Sequence, residues 1–275
     1  MPRHWGEVGC LTPGGEANVA SVKFPRLVIA ALALLALAAT ACTSHAGAAA
    51  QVADTTIDTA TVRGMVDRGM ASYEAYAAKN PEAVAQQNPV TREDVQLRAL
   101  NFLVQLKIEE AEARRLGVTL SPQELDAYYQ AYAVFETGGV AALEEAAAAV
   151  GYAPKDLHDV VVRRFALDEK LADKTSPELV ATDADIRSYY DSKLTELGVD
   201  SLPLSYEQAR PFLSRHLMND QRLAKLAPEL VKAANREGVS VSPRFGVWSA
   251  DDLVVLAADG SIATTPTPMP ELNLS

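Results

Sequence analysis

A-L-N-F-L-V-Q-L-K-I-E-E-A-E-A-R-R-L-G-V-T-L-S-P-Q-E-L-D, residues 99–126, contains most of one helix, its stop and the start of the next. Leu97, Leu100, Leu103, Val104, Leu106, Ile108 and Ala111 cover a wider apolar face than a surface helix needs, so this element is expected to sit centrally. It ends at Gly117, where a residue without Cβ turns left-handed at no steric cost. Ser121-Pro-Gln-Glu124 begins the next helix, with a hydroxyl cap, Pro in the first turn and Glu reaching back. Upstream, Thr91-Arg-Glu-Asp94 caps the central helix in the same way.

The helical pattern extends to both sides. Val62, Met65, Val66, Gly69 and Met70 recur at three- and four-residue spacing after Asp58, and Asn80-Pro81 and Asn88-Pro89 break that run. Gly138-Gly139 ends the second of the central pair, a short helix follows over 140–150, and Pro154 opens another to about Lys174. Thr182 and Ser205 cap two more, the last read as one long helix with Pro211 in its first turns and Pro228 as a kink. Short strands are expected at Ala50 to Ala53, Val239 to Val241 and Phe245 to Trp248, and residues 249–275 read as a loose tail. The fold class expected is mainly α.

Composition narrows the function. The 275 residues are 48% hydrophobic and carry 25 Lys and Arg against 36 Asp and Glu, a net charge of −11. An acidic chain is a poor binder of phosphate backbone, so nucleic acid is excluded as an expected partner. Two cysteines, Cys10 and Cys42, build neither a disulfide framework nor a multi-cysteine metal site.

The N-terminal region reads as an address. Lys23 and Arg26 precede an uncharged run over 27–41, fifteen residues long, and Ala39-Thr40-Ala41 leads into Cys42. That run is shorter than the about 20 residues a permanent membrane span requires. Small residues before the Cys resemble the bacterial lipobox, which implies a diacylglycerol and an acyl chain on Cys42 and anchorage at the outer face of a cytoplasmic membrane. Ala39 stands where that motif usually has Leu, and cleavage after Ala41 by the ordinary secretory peptidase is the alternative. Residues 1–21 read as an upstream extension from a mis-assigned start, with Val22 as the initiator, 22–41 as the signal, 42–50 as the lipidated Cys and a flexible tether, and 51–248 as the folded body. Loss of 1–41 removes three cations and two acids and leaves −12.

The order of elements resembles the N-terminal chaperone domain of SurA- and PrsA-type exported folding factors, especially actinobacterial lipoproteins of that group. The resemblance covers about Gln51 to Trp248 and is carried by Q-V-A-D-T-T-I-D, by the central helical pair, by T-D-A-D-I-R-S-Y-Y and by V-S-V-S-P-R-F-G-V-W. It implies that the first and last segments meet, so the strand around Val52 should pair with one at Val239 to Val241, and the last long helix should pack back on the first. Relatives with peptidyl-prolyl isomerase activity insert a parvulin domain of about 90–100 residues after the later capped helix, the size of a small domain. Only fourteen residues, 191–204, are present there. The few histidines, His45, His158 and His216 beyond residue 41, also argue against isomerase activity.

No G-x-S-x-G elbow, H-E-x-x-H, P-loop or spaced Cys/His set is present, so no catalytic residue, metal site or further cofactor is expected. His158 and His216 read as helix-surface residues, and acid pairs such as Glu109-Glu110 as solvated faces. Tyr128, Tyr132 and Phe135 form an aromatic stripe flanked by Tyr129. Core packing is its ordinary role; alternatively these rings, with Tyr189, Tyr190 and Phe212, line an exposed cradle for unfolded chains. The resemblance and the address together imply an ATP-independent holdase for newly exported polypeptides, with a non-catalytic envelope adaptor for one folded partner as the alternative, and weak self-association left open.

Overall fold

The computed structural model describes residues 47–257. Cys42, the address and residues 258–275 lie outside the described residues. Strand β1 (Ala48–Val52) turns at Ala53, which has φ of 50°, into β2 (Thr55–Asp58). Helices α1 (Thr59–Lys79) and α2 (Pro81–Ala85) precede the central α3 (Arg92–Leu116), α4 (Pro122–Thr137) and α5 (Val140–Ala149). Helix α6 joins three pieces, Pro154–Asp156, the π-helical Leu157–Val162 and Arg163–Thr175. Then come α7 (Asp183–Leu197), α8 (Tyr206–His216), α9 (Asn219–Glu237) and strands β3 (Val239–Val241), β4 (Val247–Ser249) and β5 (Val254–Leu256). The fold is mainly α with two small antiparallel sheets, one of three strands and one of two.

Each helix start expected from a cap is present. Thr91 and Asp94, Ser121 and Glu124, and Ser205 and Gln208 form reciprocal capping boxes, and Thr182 accepts from the Asp185 amide. These contacts satisfy amides that the helix itself leaves unpaired. Gly117, Gly138 and Gly198 close α3, α4 and α7 in the left-handed conformation.

The first and last segments meet as antiparallel strands in the order β2-β1-β3, with Ala50 opposite Val241 and Val52 opposite Val239. This register puts Ala49, Ala50 and Val52 into the core. The strand therefore starts at Ala48, inside the stretch expected to be tether, because the small alanines fit under the helices while their backbone pairs on both sides. Strand β2 is an addition to the strands expected from sequence.

Helix α3 runs through the centre, with Leu100, Val104 and Ile108 at 0–1% exposure. The expected last long helix is two helices. Phe212 and Leu213 of α8 pack into a cluster with α4 and α7, whereas Leu226 and Leu230 of α9 pack with α3 and α6. One straight helix cannot serve two separate cores, and the chain turns at Leu217 and Met218. Helix α9 packs mainly on α3 and α6, and only its Ala233 and Ala234 share a core with Val62 and Met65 of α1.

Part of the stretch expected to be a loose tail forms a strand; the rest, residues 258–275, lies outside the described residues. Strand β5 pairs with β4, with Trp248 opposite Val255, and Val255 is 2% exposed. Val255 faces the core while Leu256 is 47% exposed, so the strand has a buried side, which a composition-based reading of Pro and Thr further along obscures.

Candidate functional site

The seven aromatic residues named from the sequence are brought together only in part. Phe135, Tyr190 and Phe212 join Tyr128, Tyr132 and Tyr189 in the cluster between α4, α7 and α8, with Phe135 and Phe212 stacked at 6.0 Å. Tyr129 points into another cluster, against His158 at 5.0 Å, and donates to Glu144 at 3.3 Å. Exposures are 1% for Phe135, 6% for Tyr129 and Phe212 and 7% for Tyr190, and the other three rings are half-buried. These rings form the core that fastens α7 and α8 to α4. The exposed aromatic cradle is corrected accordingly: an i, i+4, i+7 stripe on α4 is covered because both neighbouring helices lay their own rings against it.

Two other expectations change. His216 is half-buried, stacked on Phe212 at 4.8 Å and 3.2 Å from Glu136, and burial lowers its pKa. Glu109 is not on a solvated face; it is 1% exposed, beside Asp168 at 4%. Arg164 serves both, at 2.8 Å from Glu109 Oε1 and 3.1 Å from Asp168 Oδ2, while Glu109 Oε2 and Asp168 Oδ1 find no partner among the described residues. Burial, reinforced by the neighbouring Asp168 charge, holds the Glu109 carboxyl well above its ordinary range. Burial raises the Asp168 carboxyl as well, against the pull of Arg164.

A nearby carboxyl has a testable consequence. Burial pushes half-buried Glu169 up to about 7, against the pull of Arg215 and Arg222. A carboxyl raised above its unfolded value of 4.5 binds a proton on folding, so its stabilising contribution is full below 4.5 and is lost as pH rises toward about 7. Urea titrations across that window are expected to show Glu169→Gln flattening the decline by up to about 3 kcal/mol.

An open groove of about 800 Å³ runs from the 86–90 segment along α3 to β5 and the end of α5. Pro89, Val90, Leu97, Phe102, Val150 and Leu256 give it an apolar lining. Arg164 also borders it, with its guanidinium 5.7 Å from the Phe102 ring centre, so the buried carboxylates fix part of the wall. Arg98 spans it and donates to the Val150 carbonyl, which leaves its buried Nε without a partner.

Side-chain amides on α3 read the main chain at the groove's edge. Asn101 accepts from the Val255 amide at 2.6 Å and donates to the Val255 carbonyl at 3.1 Å, and Gln105 donates to the Leu253 carbonyl at 2.7 Å. Asn101 thereby copies both hydrogen bonds that a neighbouring strand would make. An extended segment is held against a helix by its backbone, whatever its side chains.

Compared with known proteins, the chain matches no family model, no curated protein and no solved structure. Among the described residues no helix is long and apolar enough to cross a membrane, and no group of three or more His, Cys, Asp or Glu side chains is arranged to hold a metal. The groove is not legible in the sequence. Its parts come from five separated segments, of which Asn88-Pro89 reads only as a helix break; the available signal is the uncharged Asn101 and Gln105 set four residues apart in the middle, charge-free stretch of the central helix.

Proposed function

We propose that the protein is an exported, lipid-anchored holdase of the SurA and PrsA type that captures extended segments of unfolded polypeptides in the α3 groove without catalysing a reaction. The observation that carries this reading is the amide grip of Asn101 and Gln105 on the backbone of residues 253–255, beside an open apolar groove. Apolar lining offers side-chain-tolerant attraction, and backbone hydrogen bonds favour an extended chain over a folded surface. Contacts of this kind are individually weak, so release needs no nucleotide. The pairing of β1 with β3 supports kinship with the exported folding factors, and the lipobox-like Ala39-Thr40-Ala41-Cys42 supports anchorage. An acidic body resists association of the loaded complexes.

The test is aggregation of several unrelated reduced clients with and without the chain lacking residues 1–42. Suppression by the parent is expected. Pro89→Glu and Leu256→Glu, both at exposed groove positions, should weaken capture about tenfold each by removing apolar contact while leaving the fold intact. No suppression, together with one stoichiometric folded partner, would replace the holdase by an adaptor. Loss of membrane retention in Cys42→Ser tests the anchor.

A further inference from the structure

The described body begins beside two cations that no acid compensates. The Thr59 amide donates to the Gly47 carbonyl at 2.7 Å, and the Thr59 hydroxyl accepts from Arg244 Nη2 at 3.1 Å, so one residue at the start of α1 touches both the entering chain and Arg244. The Ser242 amide donates to the Ala49 carbonyl at 2.9 Å, which fixes the 242–246 turn at the same end of β1. Arg63 stands one helical turn on from Thr59, and side chains on a helix lean toward its N-terminus. Arg63 and Arg244 are both exposed. Most described arginines pair with a carboxylate, whereas neither of these pairs with a carboxylate of any described residue.

The nearest acids are engaged or distant. Asp58 caps α1, accepting from the Thr61 amide at 2.6 Å and its hydroxyl at 3.0 Å, and Asp67, one turn beyond Arg63, pairs with Arg92. Asp54 and Glu237 flank the opposite end of the sheet, where the Ala53 amide donates to the Gly238 carbonyl, about 13 Å away along β1. Beside Arg244 stand exposed Pro243 and, at the start of β4, Val247 at 56% exposure. Cations set among small exposed apolar side chains suit a surface of anionic headgroups over hydrocarbon.

Only residues 43–46 separate Cys42 from Gly47. Fully extended, a chain of that length spans at most about 18 Å, so a lipid on Cys42 holds this end of the body within that distance of the headgroups. At physiological salt exposed charges act over about 8 Å, so the membrane senses the arginines at the root of the tether before the acidic remainder of the body. We propose that the face formed by Arg63, Arg244, Pro243 and Val247 docks on anionic phospholipid headgroups and, with the short tether, holds the body in one orientation on the membrane. The inference rests on Cys42 being the anchor. Val247 lies opposite Leu256, which lines the α3 groove, so docking sets the β5 end of the groove beside the bilayer. Two arginines are too few to bind a vesicle from solution, but they orient a body that the tether keeps at an effective concentration on the order of millimolar.

The experiment couples residues 42–275, which include every described residue, through Cys42 to maleimide-bearing lipid in vesicles of phosphatidylglycerol or of phosphatidylcholine. Trp248, the one tryptophan of that chain and the neighbour of Val247, reports contact through quenching by headgroup-spin-labelled lipid. Quenching is expected in phosphatidylglycerol and is lost in phosphatidylcholine, and also in about 1 M salt, where the screening length falls to about 3 Å. Arg63→Gln combined with Arg244→Gln should lower the docked-to-undocked ratio on the order of thirtyfold, about fivefold per arginine. A chain carrying Trp248→Phe and Val180→Trp should escape quenching, because Arg222 near the start of α9 holds the Leu179 carbonyl, at the far end of that helix from β3. No quenching of Trp248 in phosphatidylglycerol, equal quenching in both lipids, quenching that survives the double substitution, or equal quenching from position 180 overturns the proposal. Chemical coupling supplies the tether, so these results judge the face alone. Mass spectrometry of Cys42 in the protein from cells judges the anchor, and an unmodified Cys42 removes the anchor and with it docking in the cell, whatever the coupled chain does.

Discussion

Arg164→Met is expected to lower the unfolding free energy by about 3–5 kcal/mol near neutral pH, because it strips the only described cation from two buried carboxyls. Glu109 and Asp168 are 1% and 4% exposed, and each already has one oxygen without a partner. With Arg164 gone, burial alone governs both, and their pKa values rise further. The loss should therefore be greatest above neutrality, where the unfolded chain is ionised and the folded chain resists ionisation. It should shrink as the pH falls toward the unfolded carboxyl range, where both states are protonated. Replacing Glu109 and Asp168 by Leu in the same chain is expected to restore most of the stability, since packed apolar groups substitute well for buried ion pairs. Urea unfolding of the three chains at about pH 8 and pH 5 checks both signs. A loss below about 1 kcal/mol at the higher pH would mean that water reaches these carboxyls. The variant matters for the groove as well, because Arg164 borders it over the Phe102 ring.

Gly69→Ala is expected to cost about 3 kcal/mol, although alanine is the better helix former. A Cβ at Gly69 would sit 2.2 Å from the Gly151 carbonyl oxygen and 3.1 Å from Val95 Cγ1. Backbone cannot swing aside as a side chain does, so α1 must separate from the loop after α5. Gly64 in the same helix provides the control. There the nearest obstacle is Arg68 Nη1 at 3.2 Å, the far end of a flexible side chain. Gly64→Ala should therefore gain up to about 1 kcal/mol through helix propensity. Paired thermal melts distinguish the two, and equal effects would refute the close contact. Gly151 follows Val150 and is itself tightly packed, since a Cβ added there would meet Val90 Cγ1 at 3.3 Å. Opening the contact with Gly69 therefore also shifts two groove residues, Val90 and Val150.

The elements that are legible in sequence are those whose information is local. Thr91, Ser121, Thr182 and Ser205 each mark a helix start within four residues, and Gly117, Gly138 and Gly198 each mark a stop. The closure of β1 on β3 follows from resemblance rather than from spacing. What stays hidden depends on partners distant in the chain. Glu109 looks like any acid on a helix until α6 brings Arg164 and Asp168 against it. Tyr129 and Phe135 share one helix with Tyr128 and Tyr132 yet enter different clusters, because α5, α6, α7 and α8 approach α4 from different sides. The groove is least legible, since Asn101 and Val255 are 154 residues apart and neither is unusual alone. The aromatic stripe of α4 takes its ordinary role in the core, and the alternative exposed cradle gives way to an aliphatic, amide-edged groove elsewhere.

Site-specific photo-crosslinking tests polypeptide capture in the groove most directly. A photoreactive residue at position 256, within the groove, is compared with one at position 180, where Val180 is 49% exposed but lies outside it. In the presence of a reduced unfolded client, crosslinks should form from 256 and be absent from 180, and Pro89→Glu should diminish them. Crosslinks formed equally from both positions, or from 180 alone, would contradict capture in the α3 groove.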